Sequence, residues 1–221
     1  MAKVWWFQIE SVQRGYQASQ WLPKDVTQWV NELTKRDTNP MNQQAVIQAT
    51  RQWVEKVVVD LNLCPFARRE LVNERVRFAV TEARTPDTLL EDLQRELLKL
   101  ADDHSIETTL LIHPGVLQDF HDYNDVLAMA DGLVEMLDLE GVFQVASFHP
   151  DYQFADTAAD AAENYTNRSP CPMLHLLREA SLERAIAAYP DTDAIPQRNI
   201  ERVEALGQTA MKALLASCHS V

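Results

Sequence analysis

The spacing of hydrophobic residues predicts alternating strands and helices through the middle of the chain. Residues 75–81 (RVRFAVT) and 108–112 (TTLLI) are short apolar or β-branched runs, which are typical of strands. Residues 142–148 (VFQVASF) are almost continuously apolar, as expected for a strand buried on both faces. Residues 86–100 and 120–137 instead place apolar groups three and four positions apart, which predicts amphipathic helices.

This order of strand, helix, strand, helix, strand predicts an α/β domain over residues 41–221. Helical connections between successive strands favour a parallel or mixed sheet of three or more strands with helices packed on it. Apolar spacing predicts a further helix before the first strand, over residues 43–62, and two after the third strand. Those two run from Ser169-Pro170 through Ala188 and over Ile195–Leu206.

Residues 1–40 have a different composition from the rest of the chain. They contain four of the five tryptophans, show little periodicity and end in the turn-prone Thr38-Asn39-Pro40. We interpret them as a Trp-rich N-terminal extension. Because large aromatic side chains are usually buried, one interpretation is that the extension packs its indoles on the domain. The other is that it docks a partner.

Composition argues against several classes of function. With five glycines the chain has no phosphate-binding glycine loop, and with a net charge of −13 it has no basic stripe for nucleic acid. No apolar run approaches the ~20 residues of a membrane span. The N-terminus lacks a signal peptide and the three cysteines form no CxxC motif, so we expect a cytoplasmic protein that binds neither nucleic acid nor membrane.

Two histidines occupy matching positions at the ends of predicted strands. Leu111-Ile-His-Pro and Ser147-Phe-His-Pro place His113 and His149 directly after the second and third strands. Proline keeps the preceding residue extended. Open α/β sheets bind ligands at their carboxyl edge, so we expect both imidazoles to lie at such an edge.

The segment after His149, residues 150–169, has no strong periodicity and a mixture of aromatic and polar residues. Long irregular loops often serve as lids or binding loops, although a surface excursion over the sheet edge is the alternative. Two imidazoles and a carboxylate are a common ligand set for a divalent metal, and a metal-free site would use the histidines as acid and base. The candidates are His113, His149 and Asp151 as metal ligands or catalytic groups, and Tyr152, Asn167 and Arg168 as substrate-binding groups.

A second set of candidates lies on the helix predicted after Ser169. His175 and Glu179 are one helical turn apart, so they would form a catalytic pair, a partial metal site or an ordinary intrahelical hydrogen bond. Arg178 would bind a carboxylate or phosphate, or pair with one of the many acids. Cys171 near a helix start could have a lowered pKa, but buried structural thiols are the alternative for Cys171 and Cys64.

Charge in the domain is concentrated around the candidate site. Residues 100–167 contain 14 Asp or Glu and no Lys or Arg, counted from the sequence. The local field therefore favours a cation or metal and opposes a polyanion, unless Arg168 and Arg178 intervene.

Several strings resemble a bacterial family catalogued as domain of unknown function 1415. They are Asn62-Leu-Cys-Pro-Phe-Ala, Leu111-Ile-His-Pro, Asp122-Tyr-Asn-Asp, Ala146-Ser-Phe-His-Pro-Asp-Tyr-Gln-Phe-Ala, Glu163-Asn-Tyr-Thr-Asn-Arg-Ser-Pro and Leu174-His-Leu-Leu-Arg-Glu. The resemblance covers about residues 45–206 and implies a bacterial cytoplasmic protein, without a reaction. Cys171 stands where the family pattern has Tyr, which argues against a catalytic role for this thiol.

Two hypotheses of function follow. The first is a small-molecule enzyme, with or without a divalent metal, that uses the paired histidines at the sheet edge. The second is a non-catalytic interaction or regulatory module that uses the N-terminal extension and the acidic surface.

Overall fold

The computed structural model describes residues 42–219, so the Trp-rich extension predicted over residues 1–40 lies outside the described residues. The elements in chain order are α1 (Gln43–Trp53) with a π-helical continuation (Val54–Val59), α2 (Ala67–Val72), β1 (Val76–Val80), α3 (Pro86–Asp102), β2 (Thr108–Ile112), α4 (Phe120–Met136), β3 (Phe143–Phe148), a 3-10 turn (Ala162–Thr166), β4 (Met173–Arg178), α5 (Glu179–Ala188), a 3-10 turn (Thr192–Ala194), α6 (Ile195–Leu206) and α7 (Gln208–Ser217).

The four strands form one mixed sheet in the order β1-β2-β4-β3. β1 and β2 are parallel, whereas β4 lies antiparallel to both β2 and β3. β1, β2 and β3 therefore run in the same direction, and their carboxyl ends lie at one edge with the amino end of β4. The predicted α/β fold with a mixed sheet is confirmed.

Local sequence explains where α3 begins and which face it buries. Thr85 caps the helix by accepting a hydrogen bond from the Thr88 N–H, and Pro86 occupies the first turn, where its missing N–H has no cost. The leucines spaced along the helix are fully buried against the sheet, namely Leu89, Leu93, Leu97 and Leu100. The helix predicted over residues 86–100 is confirmed, and the apolar positions that predicted it are the ones it buries.

The helix predicted from Ser169 through Ala188 is wrong over its first half. Residues Met173–Arg178 form β4, and α5 begins only at Glu179. β4 is inserted between β2 and β3, so Leu174 and Leu176 are buried against one face and Met173 against the other. A short apolar run of this kind fits a buried strand as well as a helix, and periodicity alone does not separate them.

Each face of the sheet carries its own hydrophobic core. α3 and α4 cover one face, and α1, its π-helical continuation, α6 and α7 contribute to the core on the other. Trp53 anchors the second core by packing edge-on against Phe148 at 5.1 Å between ring centroids. Its indole N–H also donates to the Arg168 carbonyl at 3.0 Å. Among the residues described, no helix has the length and apolar character needed to cross a membrane.

Candidate functional site

His113 and His149 lie together at the carboxyl edge of the sheet, as the matching strand ends predicted. Each follows directly after its strand, and both side chains are fully buried. Their rings pack against Tyr123 of α4, with centroids 5.7 Å and 5.1 Å from the tyrosine ring. Both imidazoles therefore lie on the sheet face that α4 covers.

Backbone groups fix the tautomer of His149. The Asp151 N–H donates to Nδ1 at 3.0 Å, so Nε2 carries the proton and donates to the Leu117 carbonyl at 3.2 Å. Leu117 has a φ of +55°, a left-handed conformation that costs a residue with a Cβ about 1 kcal/mol. Burial lowers the pKa of His149, and the two hydrogen bonds use both of its ring nitrogens.

His113 differs from His149 because only one of its nitrogens is bonded. Its Nδ1–H donates to the Val116 carbonyl at 3.1 Å, so Nε2 carries a lone pair. Within residues 42–219 this buried Nε2 has no hydrogen-bond partner. Burial lowers the pKa of His113 to about 4, which keeps the ring neutral at pH 7. Its Nε2 is therefore a desolvated acceptor.

Polar side chains from α4, β3 and the following segment complete the site. The Tyr123 hydroxyl accepts from the Phe148 N–H at 3.1 Å and donates to the Met173 carbonyl at 2.8 Å. The Ser147 hydroxyl lies beside the phenols of Tyr123 and Tyr152 and lowers the pKa of each, although burial raises both more strongly. It is buried and has no hydrogen bond of acceptable geometry within the described part of the chain.

We call this set of residues the polar cluster: His113, Tyr123, Ser147, His149, Tyr152 and Asn167. Sequence reasoning missed Tyr123 and Ser147. Tyr123 lies within the apolar spacing of the helix predicted over residues 120–137, and Ser147 lies within the strand predicted over residues 142–148, so neither stands out in the sequence. The signal that could have found Ser147 is its position two residues before a strand-end histidine, which places both on the same face of the sheet.

The segment 150–169 packs over the polar cluster and is braced by its own side chains. The backbone carbonyl of Asn167 accepts a hydrogen bond from the backbone N–H of His149 (3.3 Å). The side-chain amide of Asn167 donates to the backbone carbonyl of Ser147 (3.4 Å). Arg168 donates to the carbonyls of Tyr152 (3.1 Å) and Ala159 (2.7 Å). The predicted substrate anchor Arg168 is thus engaged with this segment's own backbone, and Asp151 contributes a backbone N–H while its side chain is exposed.

The structure separates His175 from the polar cluster. His175 lies on β4 opposite Leu110, on the sheet face packed against α1, where Phe148 is its ring neighbour at 5.9 Å. The predicted helical pair with Glu179 does not form because His175 is in a strand and Glu179 opens the next helix.

Arg178 lies at the opposite edge of the sheet from the polar cluster. It ends β4 and donates to the carbonyls of Ile106 and Asp103, each at 3.1 Å. Its guanidinium therefore ties β4 to the segment that follows α3, and the structure does not bring this predicted substrate-binding residue to the polar cluster.

The predicted metal ligands are not arranged as a coordination site. Among residues 42–219, no group of three or more His, Cys, Asp or Glu side chains could hold a metal ion. The cysteines are all free, and burial raises the pKa of Cys64 and raises that of Cys171 to about 11. Both thiols are therefore protonated at neutral pH and poorly nucleophilic.

The fold and the polar cluster define an α/β protein with a buried histidine site at the carboxyl edge of a mixed sheet. This chain belongs to the family described as protein of unknown function (DUF1415), whose family model matches residues 45–213. The resemblance found in the sequence motifs is thus confirmed. No curated protein and no solved structure matches the chain.

Proposed function

We propose that this protein is a small-molecule enzyme in which the polar cluster performs acid–base chemistry and His113 is the proton acceptor. One observation carries the proposal: Nε2 of His113 is buried and without a hydrogen-bond partner anywhere in residues 42–219. Leaving a buried acceptor unsatisfied costs roughly 1–3 kcal/mol, so native proteins retain few such atoms. A bound molecule with an O–H or N–H donor satisfies it.

The hydrogen bond at the other nitrogen suits His113 to this role. The Val116 carbonyl accepts a hydrogen bond from Nδ1–H, which fixes the tautomer with the proton on Nδ1. The lone pair is therefore on Nε2, directed away from Val116. A carbonyl that orients an imidazole in this way is a frequent feature of histidine bases. The unused hydroxyl of Ser147 and the phenol of Tyr152 supply polar groups on neighbouring elements.

The low pKa of His113 defines the kind of substrate that would use it. Burial opposes the imidazolium ion at this position, so the ring is a weak base. An anionic substrate, or one that becomes anionic as it loses its proton, stabilises the imidazolium and raises this pKa. We therefore expect a small molecule that pairs an O–H or N–H donor with a carboxylate, phosphate or enolisable carbonyl.

Access to the polar cluster requires a local opening, because His113 is fully buried. Diethyl pyrocarbonate, which acylates unprotonated imidazole nitrogens, tests for that opening at pH 7. We expect acylation of His113 at a rate that does not change with low concentrations of urea, because a local opening exposes little surface. The exposed His121 serves as the internal reference for reagent reactivity. A rate that follows global unfolding as urea rises would overturn the proposal.

Ligand binding is tested with a fragment library of hydroxy acids, phosphate esters and amides, observed through the imidazole nitrogen resonances. Fragments that bind should shift Nε2 of His113 and leave His121 unchanged. The variant His113→Asn keeps a donor for the Val116 carbonyl but removes Nε2, and it should lose these fragments, whereas His121→Asn should retain them. Fragments that bind both variants equally would place the ligand site elsewhere and contradict the role of His113.

A further inference from the structure

An open groove follows β1 on the side of the sheet away from the polar cluster. A cavity of about 710 Å³ lies between α1 and α3 and is lined by Ile47, Phe78, Val80 and Asp92 among others. A second cavity, of about 330 Å³, continues it past Val76 along the same strand. We call the two together the β1 groove.

The floor of the β1 groove is an unpaired strand edge. β2 is the neighbour of β1 on one side, and within residues 42–219 no strand pairs with the other. The Thr81 N–H donates to the Ile112 carbonyl at 2.9 Å, so the backbone of Thr81 faces β2. Because the backbone N–H and C=O groups of successive residues point to opposite sides of a strand, those of Phe78 and Val80 point away from β2 and face the groove. Such an edge is a template for another strand.

The two walls of the β1 groove differ in chemistry. On the α1 side, the side chains of Ile47, Phe78 and Val80 are apolar and only partly buried. The Arg51 guanidinium lies over the Phe78 ring at 4.6 Å from its centroid, at the end of the groove toward Val76. On the α3 side, Arg77 makes a double hydrogen bond to Glu96 at 2.7 Å and 2.9 Å. A strand entering here therefore needs one strongly apolar face, while its other face meets paired charges.

The N-terminal extension contains a segment with one wholly apolar face, and the described part of the chain begins beside the β1 groove. In residues 4–9 (VWWFQI), alternation gives Trp5, Phe7 and Ile9 one face and leaves Val4, Trp6 and Gln8 on the other. The described chain starts at the groove itself, because Gln43 lines it and donates to Glu82 at 3.1 Å. Some 30 residues of linker have an average reach of roughly 30 Å, longer than a five-residue strand.

We propose that residues 4–9 of this chain add to the open edge of β1 as a fifth strand, with Trp5, Phe7 and Ile9 against the apolar wall. Backbone hydrogen bonds to β1 supply affinity and the aromatic side chains supply specificity, as in other cases of strand addition. A tethered segment has an effective concentration in the millimolar range, which favours it over a second copy of the chain at ordinary concentrations. This assignment is independent of the function proposed for the polar cluster.

Amide hydrogen exchange in the full-length protein tests the assignment. We expect the amides of Phe78 and Val80 to exchange slowly in the parent chain, and at least ~100-fold faster in the double variant Trp5→Asp/Phe7→Asp. The matched control Trp21→Asp/Trp29→Asp changes two tryptophans of the extension outside the segment and should leave both amides slow. The amide of Ala79, which faces β2, reports that the sheet stays folded in every variant.

Three results would overturn the proposal. Fast exchange at Phe78 and Val80 in the parent chain would mean that nothing covers the edge. Slow exchange that persists in Trp5→Asp/Phe7→Asp would mean that another segment covers it. Protection that disappears on dilution of the parent chain would mean that a second copy, rather than the chain's own extension, pairs with β1.

Discussion

The two faces of the sheet each hold a histidine whose pKa burial lowers to about 4, but His113 on the α4 face is the one whose buried Nε2 has no hydrogen-bond partner among the described residues. On the α1 face, His175 donates from Nε2–H to the Thr108 hydroxyl at 2.7 Å, and that hydroxyl donates to the Leu176 carbonyl at 2.6 Å. On the α4 face, His113 has the same lowered pKa and an Nε2 with no partner among the described residues.

The comparison shows that a perturbed pKa does not by itself identify a functional group. Desolvation acts equally on a histidine that supports the sheet and on one that is available to a ligand. The hydrogen-bond partners of Nε2 distinguish them, because Nε2 of His175 is bonded to the Thr108 hydroxyl whereas Nε2 of His113 is buried without a partner in residues 42–219. Experiments that distinguish the two faces must therefore alter the hydrogen-bonding groups around each histidine as well as its charge.

The largest effect should be a loss of stability in acid that both histidines share. The pKa of each is about 4 when folded and near 6.5 when unfolded, so between these values the unfolded chain binds the proton more tightly. The free energy of unfolding is therefore highest above pH 6.5 with respect to these groups, and falls as pH drops toward 4. The expected loss is up to about 3 kcal/mol for each histidine.

Urea unfolding across this pH range measures the acid effect. His113→Asn and His175→Asn should each remove part of the pH dependence, whatever their effect at pH 7. If either variant kept the full pH dependence of the parent protein, the histidine it replaces would not contribute to the loss of stability in acid, and the prediction would be wrong for that face of the sheet.

A smaller effect should distinguish the α1 face. Thr108→Val keeps the side-chain shape but leaves the Nε2–H of His175 without its acceptor, and we expect a loss of about 2 kcal/mol in the free energy of unfolding at pH 7. Thr108→Ser retains the hydroxyl and should cost less than Thr108→Val. Equal losses in the two variants would show that the methyl group, rather than the hydrogen bond, stabilises this site.

The smallest effect should come from the matching change on the α4 face. Ser147→Ala removes a buried hydroxyl that has no partner of acceptable geometry in residues 42–219, so we expect the free energy of unfolding to stay within about 0.5 kcal/mol or to rise. The same variant should weaken fragment binding at His113. A large loss of stability would mean that Ser147 supports the fold, as Thr108 does.

Most of the fold could be predicted because local patterns agreed with the tertiary structure. Strands β1, β2 and β3 and helices α3, α4 and α6 follow directly from alternation, apolar spacing and the Thr85-Pro86 cap. β4 could not be predicted in the same way. Its register depends on two neighbours, one more than 60 residues earlier in the chain, so nothing local separates it from the first turns of α5.

Only part of the polar cluster could be predicted, because only some of its residues are marked by local sequence features. His113 and His149 are identified by strand ends, which are local features, whereas Tyr123 reaches the site only through the packing of α4 on the sheet. The predicted helical position of His175 is wrong because Met173–Arg178 form a strand. Hydrogen-bond partners such as the Val116 and Leu117 carbonyls have no side-chain signature, so the sequence does not reveal them.

The antiparallel insertion of β4 has a consequence for how the chain folds during synthesis. β1 and β2 can pair as soon as both have emerged, but β3 has no sheet neighbour until Met173–Arg178 follows it. Until then, β2 and β3 each present an unpaired apolar edge, which is the kind of surface that aggregates. We expect a chain cut before Met173 to be recovered in insoluble form, although it contains every histidine of the polar cluster.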